Sequence, residues 1–172
     1  MYIYQDEILM TKKLENLTYN WKGKSVLDLG CNAGKLWEIS KSAGASRYLG
    51  VDISKDMIKV GKERYEDAEF VEGDVNVVID RSPDYDVTVA MALFHHFTSR
   101  KLRGVIRRLK SKELIFEVPV GSNDVGLYQL RDEKWYRDLI VELYGKVQAV
   151  VKSGATNDPY NPRVIFVCKR ND

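Results

Sequence analysis

Five short apolar runs, separated by stretches of helical spacing, constrain this chain more than any other feature. They occupy residues 25–29 (SVLDL), 47–51 (RYLGV), 68–72 (AEFVE), 85–90 (YDVTVA) and 113–118 (ELIFEV). Runs of this length, bounded by Gly, Asp and Pro, read as buried strands. The spacing predicts helices over 35–42, 54–65 and 98–109, and a helical turn near 75–79. A further helix is expected over 130–143, with Trp135, Leu139, Ile140 and Leu143 near one face. Parallel strands need a crossover between them, so this alternation argues a parallel sheet. Two last runs, 146–151 and 163–169, have only the turn-rich 153–162 between them and should pair directly. The expected fold is α/β: a single-domain, seven-stranded, mostly parallel sheet with helices on both faces and an antiparallel C-terminal hairpin at one edge.

A chain of 172 residues suits one domain with its own core. Residues 1–172 are therefore read as a single domain. Residues 6–20 form an N-terminal helix carrying Ile8, Leu9, Leu14 and Leu17, and 21–172 form the core. Tyr2, Tyr4 and Tyr19 serve either as a lid over a ligand or as packing residues. The basic residues number 27 and the acidic 25, a balance that by itself indicates neither nucleic acid nor a membrane. No run approaches the ~18 apolar residues of a membrane span. The opening MYIYQDEILMTKK does not read as a secretory signal. Cys31 and Cys168 are too few and too far apart for a disulfide framework or a metal cluster, so reduced thiols and a cytoplasmic setting are expected, with no metal site. The two histidines, His95 and His96, are adjacent, so any imidazole chemistry must come from that one place.

Ligands of open α/β sheets bind at the carboxyl ends of the strands. Three of those ends carry an acid here: Asp28, Asp52 and Asp74. After the first strand, Gly30-Cys-Asn-Ala-Gly34 makes a tight loop before a helix. Gly30 and Gly34 allow close backbone approach, and Asn32 tolerates left-handed conformations. Asp28 sits in an otherwise apolar strand and needs a partner, from a ligand or a backbone amide. Asp52 stands where ribose hydroxyls are gripped by a carboxylate. Asp74, after Gly73, can accept a hydrogen bond from the exocyclic amine of adenine. Taken singly, Asp52 and Asp74 read equally well as helix caps or turn residues.

Together, Asp28-x-Gly30-x-Asn32-x-Gly34, Asp52 and Gly73-Asp74 resemble the S-adenosylmethionine signature of Rossmann-like class I methyltransferases. Leu93-Phe-His-His-Phe97 is similar to a segment found after the fourth strand in many small-molecule members. The resemblance covers about residues 17–170. It implies S-adenosylmethionine as cofactor, with Asp28 near the methionine end and Gly30, Cys31, Asn32 and Gly34 forming the loop beneath it. It implies ribose binding by Asp52, adenine packing by Ile53 and Met57, and the adenine amine on Asp74 with Val75 beside it. Met91 would line the methionine and substrate side. Many members have glycine where this chain has Asn32. A nicotinamide dinucleotide fits less well, because that fingerprint needs a glycine at position 32 and a different glycine spacing.

His96, and next to it His95, are the candidate bases if the acceptor must lose a proton. Either could instead cap the next helix or pack under the cofactor. No Asn-Pro-Pro-Tyr device follows the fourth strand, and Asn157-Asp-Pro-Tyr160 reads as a turn. Glu117 and the loop 119–126 should border the acceptor. Residues 100–112 hold seven basic residues and no acid, on the face opposite Leu102, Val105, Ile106 and Leu109. This strip is either a solvated helix face or a contact for RNA. The expected activity is methyl transfer to an acceptor, a small molecule being favoured. The alternatives are an RNA or protein methyltransferase and a non-catalytic cofactor-binding module, with a dimer or partner chain closing an otherwise open pocket.

Overall fold

The alternation of apolar runs and amphipathic stretches becomes seven strands and, after a helical stretch at 10–14, five helices in the computed structural model, which describes residues 10–81, 83–121, 130–154 and 162–171. The strands are β1 (Ser25–Leu29), β2 (Arg47–Asp52), β3 (Glu69–Glu72), β4 (Val87–Met91), β5 (Glu113–Pro119), β6 (Gly145–Lys152) and β7 (Arg163–Arg170). The helices are α1 (Lys35–Ser42), α2 (Lys55–Arg64), α3 (Val75–Arg81), α4 (Ser99–Arg108) and α5 (Glu133–Leu143), with a 3-10 turn at Phe94–His96. One sheet runs β3-β2-β1-β4-β5-β7-β6. Every described pairing is parallel except the two that β7 makes. The expected fold is therefore the observed one, with β7 inserted beside β5 and β6 left at the edge. The strand order turns at β1–β4, so the carboxyl ends of β1, β2 and β4 frame the crevice where such sheets bind ligands.

Local chemistry sets the element boundaries. The Ser54 hydroxyl accepts from the Met57 amide and starts α2, and Thr98 does the same for Lys101 and α4. The expected helix over 130–143 starts only at Glu133, because the Asp132 carboxylate caps the Trp135 amide at 2.7 Å. The N-terminal helix ends earlier than its periodicity suggests. Among the described residues only 10–14 are helical. Beyond a turn the chain leaves the helix, the Asn16 amide donating to the Lys152 carbonyl and the Tyr19 hydroxyl to Glu113. Tyr2, Tyr4, most of the loop 119–126 and the turn at Asn157–Tyr160 lie outside the described residues.

Two apolar layers sandwich the sheet. On one face α3, α4 and α5 cover Leu27, Leu49, Phe116 and Phe166. The rings of Phe116 and Phe166 stack there at 4.7 Å. On the other, α1 and α2 pack over Val26, Tyr48 and Phe70, while Met10, Leu14, Leu17 and Tyr19 pack against the same layer. The N-terminal segment is thus part of the core's cover as well as a neighbour of the carboxyl edge. Phe70 is admitted by glycine: a Cβ at Gly34, Gly50 or Gly61 would lie within 3 Å of its ring. Among the described residues, no helix is long and apolar enough to cross a membrane.

Candidate functional site

The loop after β1 is held by the end of β2. The Gly30 and Cys31 amides donate to the Val51 carbonyl at 2.8 and 3.1 Å. The Asn32 amide donates to the Asp52 carboxylate at 2.9 Å. Gly30, Asn32 and Gly34 all have positive φ, 75°, 52° and 81°. Asn32 therefore adopts the left-handed backbone expected of it. Gly34 is needed for that conformation and for Phe70, so its missing side chain opens room for the core and not for a ligand. Cys31 points inward, 2% exposed. Burial pushes its thiol well up, with Asp28 and Asp52 adding to the effect, so it stays protonated.

Each of the three acids has a different environment. Asp52 accepts the Asn32 amide on one oxygen and the Ser54 amide on the other. A carboxylate has about four acceptor positions, so half its capacity remains for a ligand. Asp74 caps α3 through the Asn76 amide at 2.8 Å. The Lys101 ammonium lies 3.4 Å from both Asp74 oxygens. Asp28 is 1% exposed and accepts the Tyr48 hydroxyl at 2.7 Å. The partner expected from a ligand or an amide is therefore a phenol. Burial raises the Asp28 carboxyl to about 7, with Asp52 adding, against the lowering effect of the Tyr48 bond.

Six of the residues expected at the cofactor line one cavity of about 130 Å³: Gly30, Asp52, Ile53, Gly73, Asp74 and Val75. Ile53 is 75% exposed, an apolar side chain left standing at the rim. Asp28, Cys31, Asn32, Gly34, Met57 and Met91 do not line it. Of these, Asp28, Cys31 and Met91 are buried in the layer below. The cavity also takes Leu93, Phe97 and Lys101, which sequence reasoning did not assign to the cofactor. Lys101 was read only as part of a basic strip. A larger cavity of about 470 Å³ shares Gly73 and Asp74 and runs out between β3 and α3.

The segment after β4 starts with a strained residue. Ala92 has φ of 56° and donates its amide to the Glu117 carbonyl. The 3-10 turn then sends side chains two ways. Leu93 and Phe97 line the small cavity. The rings of His95 and His96 lie 4.2 Å apart and are influenced by the charge of Arg163. His95 is buried, and burial, with the neighbouring His96 and the charges of Arg163 and Lys13, lowers it to about 3. His96 is exposed, and desolvation and Arg163 lower it too. Both imidazoles are thus neutral at pH 7, but only His96 is open to a ligand. Glu117, expected to touch the acceptor, is fully buried. It accepts the Ser153 hydroxyl at 2.7 Å and the Arg163 guanidinium at 3.1 Å, with the Lys13 ammonium at 3.5 Å.

The basic strip is largely paired within the protein. Arg103 and Arg107 reach Glu142 on α5, Arg108 reaches Asp80, and Lys101 reaches Asp74. Arg108 also donates to the Asn76 carbonyl and side chain.

Known proteins resemble this chain in sequence and in fold. A family model described as a methyltransferase domain matches residues 26–112, just over half of the chain. A protein of Invertebrate iridescent virus 6, described as methyltransferase 235L, is 32% identical over 126 residues, covering 65% of this chain and 44% of its own. The chain spans less than half the length of the curated relatives it matches. Two solved structures share the fold. A magnesium protoporphyrin IX methyltransferase from Synechocystis with bound SAH superposes with a TM-score of 0.74 at 16% identity, over 98% of this chain and 82% of that one. A Listeria monocytogenes protein described as an S-adenosylmethionine-dependent methyltransferase gives 0.76 at 15%, over 94% and 98%.

Proposed function

This chain belongs to the methyltransferase-domain family, and we propose that it transfers a methyl group from S-adenosylmethionine to a small-molecule acceptor. One observation carries the reading: a single cavity at the switch in strand order brings Asp52, Asp74 and the Gly30 loop together. The donor set suits the cofactor. Asp52 keeps acceptor capacity for two ribose hydroxyls, Asp74 offers carboxylate oxygens to an exocyclic amine, and Ile53, Val75, Leu93 and Phe97 give apolar walls for a base. When bound, S-adenosylmethionine supplies an electrophilic methyl on a sulfonium leaving group.

The remaining work belongs to the chain itself. Holding donor and acceptor in line supplies much of the acceleration of such a displacement. The turn at 93–97 is placed for this, with Leu93 and Phe97 toward the cofactor cavity and His96 open on the other side. His96, neutral at pH 7, accepts a proton from acceptors that must lose one. His95, held to about 3, packs and orients. A small acceptor is favoured over RNA because the basic strip that would hold phosphates is engaged with Glu142, Asp80 and Asp74.

Calorimetry with S-adenosylmethionine and S-adenosylhomocysteine tests the reading. Binding of both is expected, and no heat with either would sink it. Labelled methyl donor with fractionated lysate then identifies the acceptor pool. Cofactor binding with no transfer into small molecules, RNA or protein would favour the non-catalytic module.

A further inference from the structure

Five parts of the chain meet around one buried carboxylate at the carboxyl edge, on the side away from the cofactor cavity. Glu117 stands opposite Met91 in the β4–β5 register. Its Oε1 accepts the Ser153 hydroxyl at the end of β6. Its Oε2 accepts Arg163 from the start of β7, with Lys13 of the N-terminal segment also facing it. His95 and His96 complete the group, close enough to Arg163 for its charge to act on both.

The charges of the described residues do not balance. Among the described residues the ion pairs of Lys13 and of Arg163 are both with Glu117, on the same oxygen. Two cations against one carboxylate leave one positive charge in a site where their side chains are 12% and 18% exposed. Such a charge is poorly solvated, so an anion that reaches it is bound with little competition from water. An ammonium has three donors and a guanidinium five, so among the described residues one shared carboxylate oxygen engages only part of their capacity. The Arg163 Nε–H is buried with no acceptor. The lowered histidines agree with this, since uncompensated cations next to an imidazole oppose its protonation.

We propose that this cluster is the acceptor subsite and that it recognises a small anionic group, a carboxylate or phosphate of the substrate, through Arg163 and Lys13. Glu117 is a positioning residue: it holds both cations at one point and so orients their remaining donors. His96 is the neutral, exposed group beside the bound anion. The inference rests on the methyltransferase reading above, for the 3-10 turn joins this cluster to the cofactor cavity, Leu93 and Phe97 facing one and His95 and His96 the other.

The protein's two histidines are both here, so their imidazole NMR signals report this site alone. The test titrates this chain, saturated with S-adenosylhomocysteine, with inorganic phosphate and separately with sodium acetate. Sodium chloride at matched ionic strength is the control. A bound anion offsets Arg163, so the apparent His96 pKa should rise by about half a unit or more and saturate. Response to phosphate alone marks a phosphate-bearing acceptor, and response to acetate a carboxylate. R163Q should lose the response while binding S-adenosylhomocysteine within threefold of the parent. K13Q, which leaves the Arg163–Glu117 pair in place, should weaken anion binding about tenfold and covers the case that R163Q does not fold. Neither anion exceeding chloride, or K13Q responding like the parent, would overturn the inference. Absence of S-adenosylhomocysteine binding would instead sink the methyltransferase reading.

Discussion

On the β1–β2–β3 half of the carboxyl edge, the strand ends carry acids: Asp52 and Asp74 line the cavity, where Lys101 of α4 meets Asp74, and Asp28 is buried below. On the β4–β5–β7 half the groups are Lys13, Arg163 and two histidines around one carboxylate. The same physical cause, burial near like charge, acts on both and pushes titration in opposite senses. Asp28 is raised to about 7, with Asp52 adding to its burial. His95 is lowered to about 3, with Arg163 and Lys13 adding to its burial. One sheet therefore carries acids at one half of its carboxyl edge and a cationic cluster at the other, which we propose meet the cofactor and an anionic acceptor respectively. The near-neutral total charge of the chain hides this division.

The most severe way to break the comparison is Asp52→Ala. It removes the acceptor for the Asn32 and Ser54 amides along with the proposed ribose contacts. Charge-assisted bonds contribute roughly 1.5–3 kcal/mol each, so a loss of about 100-fold or more in S-adenosylhomocysteine affinity is expected by calorimetry. His96→Ala should stay within threefold. The reverse order would show that the two halves have been exchanged.

The buried titrations come next. Asp28 has a folded pKa raised above its unfolded value, so protonation favours the folded state. That contribution is full below about pH 4 and is lost as pH rises toward about 7. Asp28→Asn keeps an acceptor for Tyr48 and removes the titration. It should raise stability at pH 8 by on the order of 2 kcal/mol and change it little at pH 4. Equal effects at both pH values in chemical denaturation would contradict the raised carboxyl. His95 gives the opposite limb. Its folded pKa is depressed, so stability is full above about 6.5 and falls as pH drops toward 3. His95→Phe, which keeps the ring's bulk without a titrating group, should flatten the acid limb of Tm between pH 7 and pH 5.

Two smaller effects sharpen the boundary between the halves. Lys101→Met keeps the stem near Phe97 but releases Asp74. The expected result is a two- to fivefold tighter fit of S-adenosylhomocysteine and a weaker salt dependence, again by calorimetry. Arg103→Gln with Arg107→Gln removes only exposed pairs with Glu142. Surface ion pairs contribute about 0–1 kcal/mol, so stability should change by less than that. Affinity for a short single-stranded RNA should not change either. A loss of tight, salt-sensitive RNA binding in this variant would restore the RNA reading.

Much of the cofactor half was legible in the sequence because its residues lie within short segments of strongly local chemistry. A strand followed by Gly30 and Asn32 needs left-handed backbone, and an acid directly after a strand caps or binds. Asp52 and Asp74 do accept local amides, and they line the cavity as well, so an acid that caps also keeps a face toward the cavity. Tyr48 as the partner of Asp28 was not legible, since only the β1–β2 register brings residues twenty apart into contact. Lys101 was hidden for a similar reason: helical periodicity places it on a polar face without saying what that face meets. The opposite half was barely legible. Ser153 and Arg163 meet across the β6–β7 hairpin, but no local spacing relates them to Lys13 or to Glu117.

The order of apolar runs and helical stretches fixed the α/β class, the parallel core, the antiparallel last pair and the tight glycine loop after β1. These depend on periodicity, turn chemistry and the need of parallel strands for crossovers. The tertiary structure alone decided that the N-terminal segment leaves its helix to cover the sheet, that Gly34 serves Phe70, and that the basic strip is paired. It also decided which histidine is exposed and that Lys13 and Arg163 share one carboxylate. Each of these depends on what a side chain meets across the fold, through burial and through charges brought close by distant parts of the chain.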